Sequence, residues 1–275
     1  MPEFLSGSSA SAKRLYHLPG KNRIMFRYHG ATAEHWDSHW RMYPASGAPR
    51  ADCWECRVTA RYLPRGAQIV EGGCGLGSKV AALQLAGYKV EGIDFAAETV
   101  VRANGTHPGV AIRQGDVRAT GMRAESLDGY WSLGVVEHFP EGPHEILKEA
   151  ARILRPGGYL FLTAPWFSPL RRHLVSSGRI PVWTAQRLPS DFYQYAFSRE
   201  EVLGELAQLG FEVKAWHARS AVKGLSDEIA WTRPVLRAVH ASPRPVGALA
   251  TRLIECAFAS KVGHGFLVVA RKMRS

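Results

Sequence analysis

The sequence has little cysteine, no long apolar run and fewer acidic than basic residues. Only 4 of its 275 residues are cysteine, which excludes a disulfide framework for a chain of this length. The longest unbroken apolar runs, such as 159–162 and 266–270, are far shorter than the roughly 20 residues that a membrane-spanning helix needs. The first residues contain no apolar stretch ahead of a small-residue cleavage site, so we expect no secretory signal and a cytoplasmic protein.

The composition is that of a globular protein with a strongly basic surface. Apolar residues make up 46% of the chain, enough for one sizeable core. Lysine and arginine number 35 against 24 aspartate and glutamate, a formal net charge of +11. This excess favours an anionic partner such as a nucleic acid, a phosphorylated substrate or an anionic membrane surface, and it is equally compatible with a solvated basic surface.

The order of apolar segments predicts an α/β fold. Residues 1–25 are rich in serine, alanine and glycine, and we expect a flexible leader there. From residue 67 onward short apolar runs alternate with helical patterns, which indicates a parallel sheet. The predicted strands are 68–71, 89–94, 110–114, 129–136, 159–163, 211–215 and 265–270. Two segments, at about 164–197 and 221–261, interrupt this alternation, and insertions of that length often cap a site.

A glycine-rich loop follows the first of these strands. Its glycines stand at the turn into a helix, where the backbone can approach a ligand and present amide N–H groups. Asp94 ends the next strand, 23 residues after Glu71, where a carboxylate can accept hydrogen bonds from ribose hydroxyls. A P-loop is disfavoured because Ser78 precedes Lys79, the reverse of the required order. A dinucleotide loop is disfavoured because Glu71 would repel a pyrophosphate, whereas it suits a cationic ligand.

Several ordered motifs resemble one family. Glu71-x-Gly73-x-Gly75-x-Gly77 resembles motif I of the class I S-adenosylmethionine-dependent methyltransferases of the small-molecule type. Four further segments resemble the later motifs of that family in order: Asp94 in Gly-Ile-Asp-Phe, 115–117, 128–139 and 154–158. The resemblance implies a Rossmann-like, seven-stranded, mostly parallel sheet with helices on both faces and an antiparallel last strand at 265–270. It also implies lid helices at 26–60 before a methyltransferase domain at 61–275.

The same resemblance implies the site residues and the cofactor, S-adenosyl-L-methionine. Glu71 would face the methionine amine, Asp94 the ribose, and Phe95 and Asp116 the adenine. The implied cofactor-binding residues are Glu71, Gly73, Cys74, Gly75, Gly77, Asp94, Phe95, Asp116, Val117 and Val135. His138, just past the fourth strand, is the candidate catalytic residue. A general base, a pocket-lining side chain and a structural histidine are the alternatives for it.

The expected function is methyl transfer to a small organic acceptor, at oxygen. An RNA methyltransferase is one alternative, prompted by the net charge. It is disfavoured because the fourth strand ends Val-Val-Glu-His and lacks an Asn/Asp-Pro-Pro-Tyr or Phe motif. A non-catalytic cofactor-binding protein is a second alternative.

The acceptor must be inferred from the more variable segments. Aromatic and basic side chains of 164–197 could form a pocket for an anionic or lipid-like acceptor or could seal their own core: Trp166, Phe167, Trp183, Phe192, Tyr193, Tyr195, Arg171, Arg172 and Arg179. The apolar run 246–258 could lie on an anionic membrane or pack inside the protein.

One cluster of residues has the composition of a zinc site. His35 and His39 are one helical turn apart, and Cys53 and Cys56 form a Cys-x-x-Cys pair. Four such ligands could hold zinc in a tetrahedral site. The histidines lie in a tryptophan-rich helical pattern that packing explains, so we expect no metal.

Overall fold

The computed structural model describes residues 14–28, 30–43 and 48–274, which divide into two compact units. The first unit holds the described residues of 1–29 with Ala164–Val202 and Trp216–Leu267. The second holds those of 30–163 with Leu203–Ala215 and the described residues from Val268 onward.

The described residues form strands and helices with the following bounds. The strands are β1 (Arg14–Leu18), β2 (Arg23–Arg27), β3 (Gln68–Gly72), β4 (Lys89–Asp94), β5 (Ala111–Gln114), β6 (Leu127–Leu133), β7 (Leu154–Pro165), β8 (Phe192–Phe197), β9 (Phe211–Arg219) and β10 (Gly265–Lys272). The helices are α1 (Ala33–Met42), α2 (Trp54–Thr59), α3 (Ser78–Leu85), α4 (Ala97–Thr106), α5 (His144–Ile153), α6 (Pro169–Ser176), α7 (Arg199–Gln208), α8 (Ala221–Glu228), α9 (Arg233–Ala241) and α10 (Arg244–Val262). No helix of this described part is both long and apolar enough to cross a bilayer.

A seven-stranded sheet organises the second unit. Its strand order is β5-β4-β3-β6-β7-β10-β9, and β3 pairs in parallel with both β4 and β6. The sheet is mostly parallel, its last strand is antiparallel, and helices flank it. The predicted Rossmann-like fold is therefore confirmed. Because the strand order reverses beside β3, the carboxyl ends of β3, β4 and β6 border a crevice of the kind that binds ligands in such sheets.

Helix α1 is fastened to α4 by side chains of both helices. Ala96 precedes α4 and has no side chain that could cap the helix. Asp37 of α1 supplies the missing acceptor, because its Oδ1 accepts hydrogen bonds from Thr99 N at 2.8 Å and Thr99 Oγ1 at 2.7 Å. Arg102 of α4 donates in return to the carbonyl oxygens of Trp40 and Tyr43 at the end of α1. These contacts fix the position of α1 within the second unit.

The first unit contains a three-stranded sheet of order β1-β2-β8. Strands β1 and β2 form an antiparallel hairpin, and β2 pairs antiparallel with β8 so that Met25 lies opposite Tyr195. Phe26 and Ala196 of this sheet share a buried core with Leu174 of α6. The predicted flexible leader is wrong for residues 14–25, because apolar side chains of β2 are buried there. Residues 1–13 of the predicted leader lie outside the described residues.

Candidate functional site

A cavity of about 280 Å³ lies in the second unit, where the parallel strands end. Gly73 follows β3, Asp94 ends β4, Gly115 follows β5 and Leu133 ends β6, and all four line the cavity. Seven of the predicted site residues line it: Gly73, Asp94, Phe95, Asp116, Val117, Val135 and His138. Four do not line it: Glu71, Cys74, Gly75 and Gly77. Residues of the predicted motifs therefore meet at one cavity, whereas Cys74, Gly75 and Gly77 of the glycine loop do not line it.

The amides of the glycine loop bond within the protein. Gly73 N and Cys74 N both donate to Ile93 O, at 2.7 and 3.1 Å. Gly75 N donates to Asp94 Oδ2 at 2.7 Å, and Gly77 N donates to Cys74 O at 2.9 Å. The expectation that these amides point to a ligand is therefore wrong for these four residues. Their bonds instead set the shape of the loop against β4.

Two glycines allow side chains to approach the loop closely. Gly73 has φ +70°, and a Cβ built on it would lie 2.4 Å from Val135 Cγ2. Gly75 has φ +52°, and its Cβ would lie 2.6 Å from Cζ2 of Trp40. Both positions therefore require glycine for conformation and for space. Trp40 and Val135 in turn line the cavity. A side chain at Gly73 or Gly75 would therefore displace a residue of the cavity wall.

Asp94 connects the glycine loop to the next helix. Its Oδ2 accepts from Gly75 N at 2.7 Å and its Oδ1 from Ala96 N at 3.0 Å. The side chain is buried, and burial raises the pKa of this carboxyl, while the Ala96 and Gly75 amides lower it. Each carboxylate oxygen has a second lone pair, so Asp94 can still accept hydrogen bonds from a ligand in the cavity that it lines.

Glu71 is a buried carboxyl at the end of β3. The residue is 3% exposed, and its Oε2 has no hydrogen-bond partner among the described residues. Burial raises the pKa of Glu71 to about 8, Glu55 and Asp94 add repulsion, and Lys79 and the Val80 amide oppose the shift. A buried carboxyl oxygen without a partner is costly. A cationic donor from a ligand would relieve that cost.

Asp116 and Arg118 form an ion pair at the cavity wall. Arg118 Nη2 lies 2.7 Å from Asp116 Oδ2, and the Arg118 amide donates to Asp116 Oδ1 at 2.8 Å. The Arg118 hydrogen bonds lower the pKa of Asp116. The guanidinium of Arg118 also lies 5.2 Å from the ring centre of Phe139. Sequence reasoning missed Arg118, Phe139 and Pro140 as cavity residues. The signal available was their closeness in sequence to Asp116 and His138.

His138 lies in a short 3₁₀ helix, Val136–His138, after β6. Its ring packs edge-on against Trp36 of α1, with 4.8 Å between ring centres, and both side chains line the cavity. Glu137 beside it is buried, its Oε2 has no hydrogen-bond partner in the described structure, and burial raises its pKa to about 8. The wall of the cavity thus combines an imidazole, an indole and the apolar rings of Phe139 and Pro140.

Several of the basic and aromatic residues of 164–197 are buried within the first unit. Arg171 is 1% exposed and bonds to Glu228 Oε1 at 2.8 Å and to Trp166 O at 2.7 Å. Phe167 and Tyr195 are also buried. None of the residues named for an acceptor pocket in 164–197 lines the described cavity. That pocket prediction is wrong for Arg171, since a guanidinium saturated by protein acceptors is not available to a ligand.

The histidine and cysteine pairs lie on different helices. His35 and His39 are in α1, with 6.0 Å between ring centres. Cys53 caps α2, and its Sγ lies 3.1 Å from Cys56 Sγ. In the described part of the chain, no group of three or more histidine, cysteine, aspartate or glutamate side chains could hold a metal ion. Cys74 is buried, and burial raises the pKa of its thiol well above the usual range.

Known proteins resemble this chain in sequence and in fold. Residues 70–162 match a family model described as a methyltransferase domain. The chain is 31% identical over 143 residues to a ubiquinone biosynthesis O-methyltransferase of Xanthomonas axonopodis pv. citri (strain 306). That match covers 50% of this chain and 59% of the relative, so the chain spans less than two thirds of that protein's length.

Two solved structures show the likeness in fold. The first is geranyl diphosphate C-methyltransferase of Streptomyces coelicolor A3(2), in complex with Mg²⁺, geranyl diphosphate and S-adenosyl-L-homocysteine. Its TM-score is 0.53 at 15% identity, with 89% of this chain and 100% of that chain covered. The second is a SAM-dependent methyltransferase of Methanosarcina mazei, with a TM-score of 0.52 at 18% identity. That match covers 79% of this chain and 98% of the other chain.

Proposed function

We propose that the protein is an S-adenosylmethionine-dependent methyltransferase of the class I type, whose methyltransferase domain includes residues 70–162, and that it transfers a methyl group to an oxygen atom of a small organic acceptor. The observation that carries the proposal is the cavity itself, in which Gly73, Asp94 and His138 meet. The name of the Xanthomonas relative, an O-methyltransferase of ubiquinone biosynthesis, supports a small acceptor methylated at oxygen.

The residues fit the cofactor on two observations. The buried Glu71 Oε2 has no partner in the described structure, and a methionine ammonium group would give it one. Asp94 lines the cavity, and each of its carboxylate oxygens keeps a lone pair for a ligand hydroxyl. We assign Glu71 to the ammonium group, Asp94 to the ribose, and Phe95, Asp116 and Val117 to the adenine.

When bound, S-adenosylmethionine would supply a sulfonium methyl group for transfer to an oxygen nucleophile, leaving S-adenosylhomocysteine. The protein's part is to align the nucleophile and remove its proton, and alignment alone contributes several kcal/mol. We assign His138, which lines the cavity, to accept that proton. Trp36, Phe139 and Pro140 form an apolar wall beside it that keeps water from the reacting atoms.

We assign α1 the lid role predicted for 26–60. Trp36 and Trp40 of this helix line the cavity, and the Asp37 bonds hold the helix on α4. An apolar wall of this kind suits an acceptor with a flat or greasy body.

A transfer assay with cofactor labelled on the methyl group tests the proposal. Purified protein is incubated with phenolic, carboxylate and polyprenylated acceptors and with total RNA, beside the His138→Ala variant. We expect label in a small hydroxyl-bearing acceptor and none in RNA. Label in RNA would favour the RNA methyltransferase alternative. Cofactor binding without transfer to any acceptor would favour a non-catalytic protein.

A further inference from the structure

An apolar stripe lies along the outer side of α10 in the first unit. Val246, Leu249 and Leu253 are 59%, 59% and 61% exposed. Their spacing of three and four residues places them on one face of the helix. The opposite face packs inward, because a Cβ on Gly247 would lie 2.7 Å from Val239 O of α9 and Ala259 is buried. The stripe is therefore turned away from the helices that α10 contacts.

The preceding segment exposes further apolar side chains. Trp231 is 77% exposed and Val235 of α9 is 61% exposed. Large exposed apolar groups scattered singly need no explanation, but five between residues 231 and 253, on a 3₁₀ helix (Ala230–Thr232), α9 and α10, indicate an interaction surface. We call these five residues, Trp231, Val235, Val246, Leu249 and Leu253, the α9–α10 surface.

The charge of this segment indicates which partner the surface fits. Residues 230–262 contain five arginine or lysine residues and one acidic residue, Glu255. Arg237 and Arg252 are exposed and form no ion pair with any residue that the structure describes. Exposed arginines beside an apolar stripe, with tryptophan at the edge, are typical of helices that lie in the headgroup region of anionic membranes. A protein partner would need acidic groups matched to each arginine, whereas a bilayer supplies negative charge everywhere.

We propose that the α9–α10 surface binds the protein peripherally to anionic membranes, with α10 in the plane of the interface. Leu249 and Leu253 enter the boundary between headgroups and acyl chains, and Arg237 and Arg252 contact lipid phosphates. The helix has 19 residues, about 28 Å at the usual rise, so it lies along the surface and does not cross it. The proposal does not depend on which acceptor the second unit methylates.

Vesicle flotation of the full-length protein tests this inference. Vesicles of phosphatidylcholine alone are compared with vesicles that also contain phosphatidylglycerol, at low and high salt. We expect binding to the anionic vesicles, weakened by salt, and little binding to the neutral ones. The double variant Leu249→Asp/Leu253→Asp should lower the partition coefficient by about tenfold or more, and Arg237→Glu/Arg252→Glu should abolish the preference for anionic lipid.

A matched control separates this surface from apolar exposure in general. Leu85 and Val101 are 61% and 73% exposed in the second unit, so Leu85→Asp/Val101→Asp should leave vesicle binding unchanged. All variants are checked by circular dichroism, and the arginine variant tests the surface without altering an apolar contact. Absence of binding to anionic vesicles, or equal loss in the control, would overturn the proposal. So would light scattering that shows a dimer abolished by the Leu249/Leu253 variant, since the surface would then bind a second copy.

Discussion

The indole of Trp40 lies so close to Gly75 that a Cβ added there would be 2.6 Å from Cζ2 of the ring. This contact joins α1 to the loop after β3. We expect Gly75→Ala to destabilise the fold by about 1 to 3 kcal/mol and to weaken S-adenosylmethionine binding, because both the ring and the loop must move. Urea denaturation and calorimetric titration measure the two effects.

Gly121→Ala is the matched control for that substitution. Gly121 also has a positive φ, +71°, but nothing lies within 4 Å of the position that its Cβ would take. It therefore carries the conformational cost without the clash. Equal effects of the two substitutions on stability would show that the Trp40 contact contributes nothing.

The Asp37 cap of α4 gives a second prediction. Asp37→Ala removes the acceptor for Thr99 N and Oγ1, and loss of such a cap typically costs about 1 kcal/mol. We also expect weaker cofactor binding, because α1 carries Trp36 and Trp40 into the cavity wall. Arg41→Ala breaks only the exposed pair with Glu98 and should change stability by less than about 0.5 kcal/mol. Denaturation midpoints that rank the two variants the other way would contradict the capping role.

The strands and loops of the second unit could be predicted because their signals are local. The segment 68–94 holds β3, the glycine loop, β4 and Asp94 within 27 residues. Apolar runs indicate its strands, and the glycines indicate the turn between them. The hydrogen bonds of the Gly73, Cys74 and Gly75 amides could not be predicted, because their acceptors on Ile93 and Asp94 are set by the register of β3 against β4. The contact of Trp40 with Gly75 likewise depends on where α1 packs.

The strands β1 and β2 were missed for a different physical reason. Strand β2 is stabilised by β8, whose residues lie about 170 positions later, so no local pattern fixes the pairing. The composition of 1–25 is dominated by the serine and alanine of its first residues, and this composition led to the prediction of a flexible leader. The Pro19-Gly20 turn between two apolar runs was the one local signal for a hairpin.

The imidazole of His138 gives a prediction about catalysis. His138→Ala should lower kcat by about 10²- to 10⁴-fold while leaving the cofactor Kd within about threefold, because the ring lies against Trp36 on the acceptor side that we assign. Steady-state kinetics and calorimetric titration separate the two parameters. A large loss of cofactor affinity with unchanged kcat would identify His138 as a binding residue.

Burial of Glu71 gives a prediction about pH. Its pKa is raised to about 8, so the cofactor-free protein holds a proton there that the unfolded chain loses above about pH 4.5. Between about pH 4.5 and 8 the folded state therefore binds more protons than the unfolded chain. The free energy of unfolding falls as the pH rises through this range. Glu71→Gln should therefore gain at least about 1 kcal/mol of stability relative to wild type on going from pH 5 to pH 8. A parallel pH dependence in the two proteins would contradict the protonated state.

Binding of S-adenosylmethionine in the cavity is the central claim, and calorimetric titration of the purified protein tests it most directly. We predict saturable binding of S-adenosylmethionine, none of NADH or ATP, and at least about tenfold weaker binding by Asp94→Asn, which loses a charge but keeps its shape. Absence of binding by demonstrably folded protein, or saturable binding of NADH in its place, would contradict it.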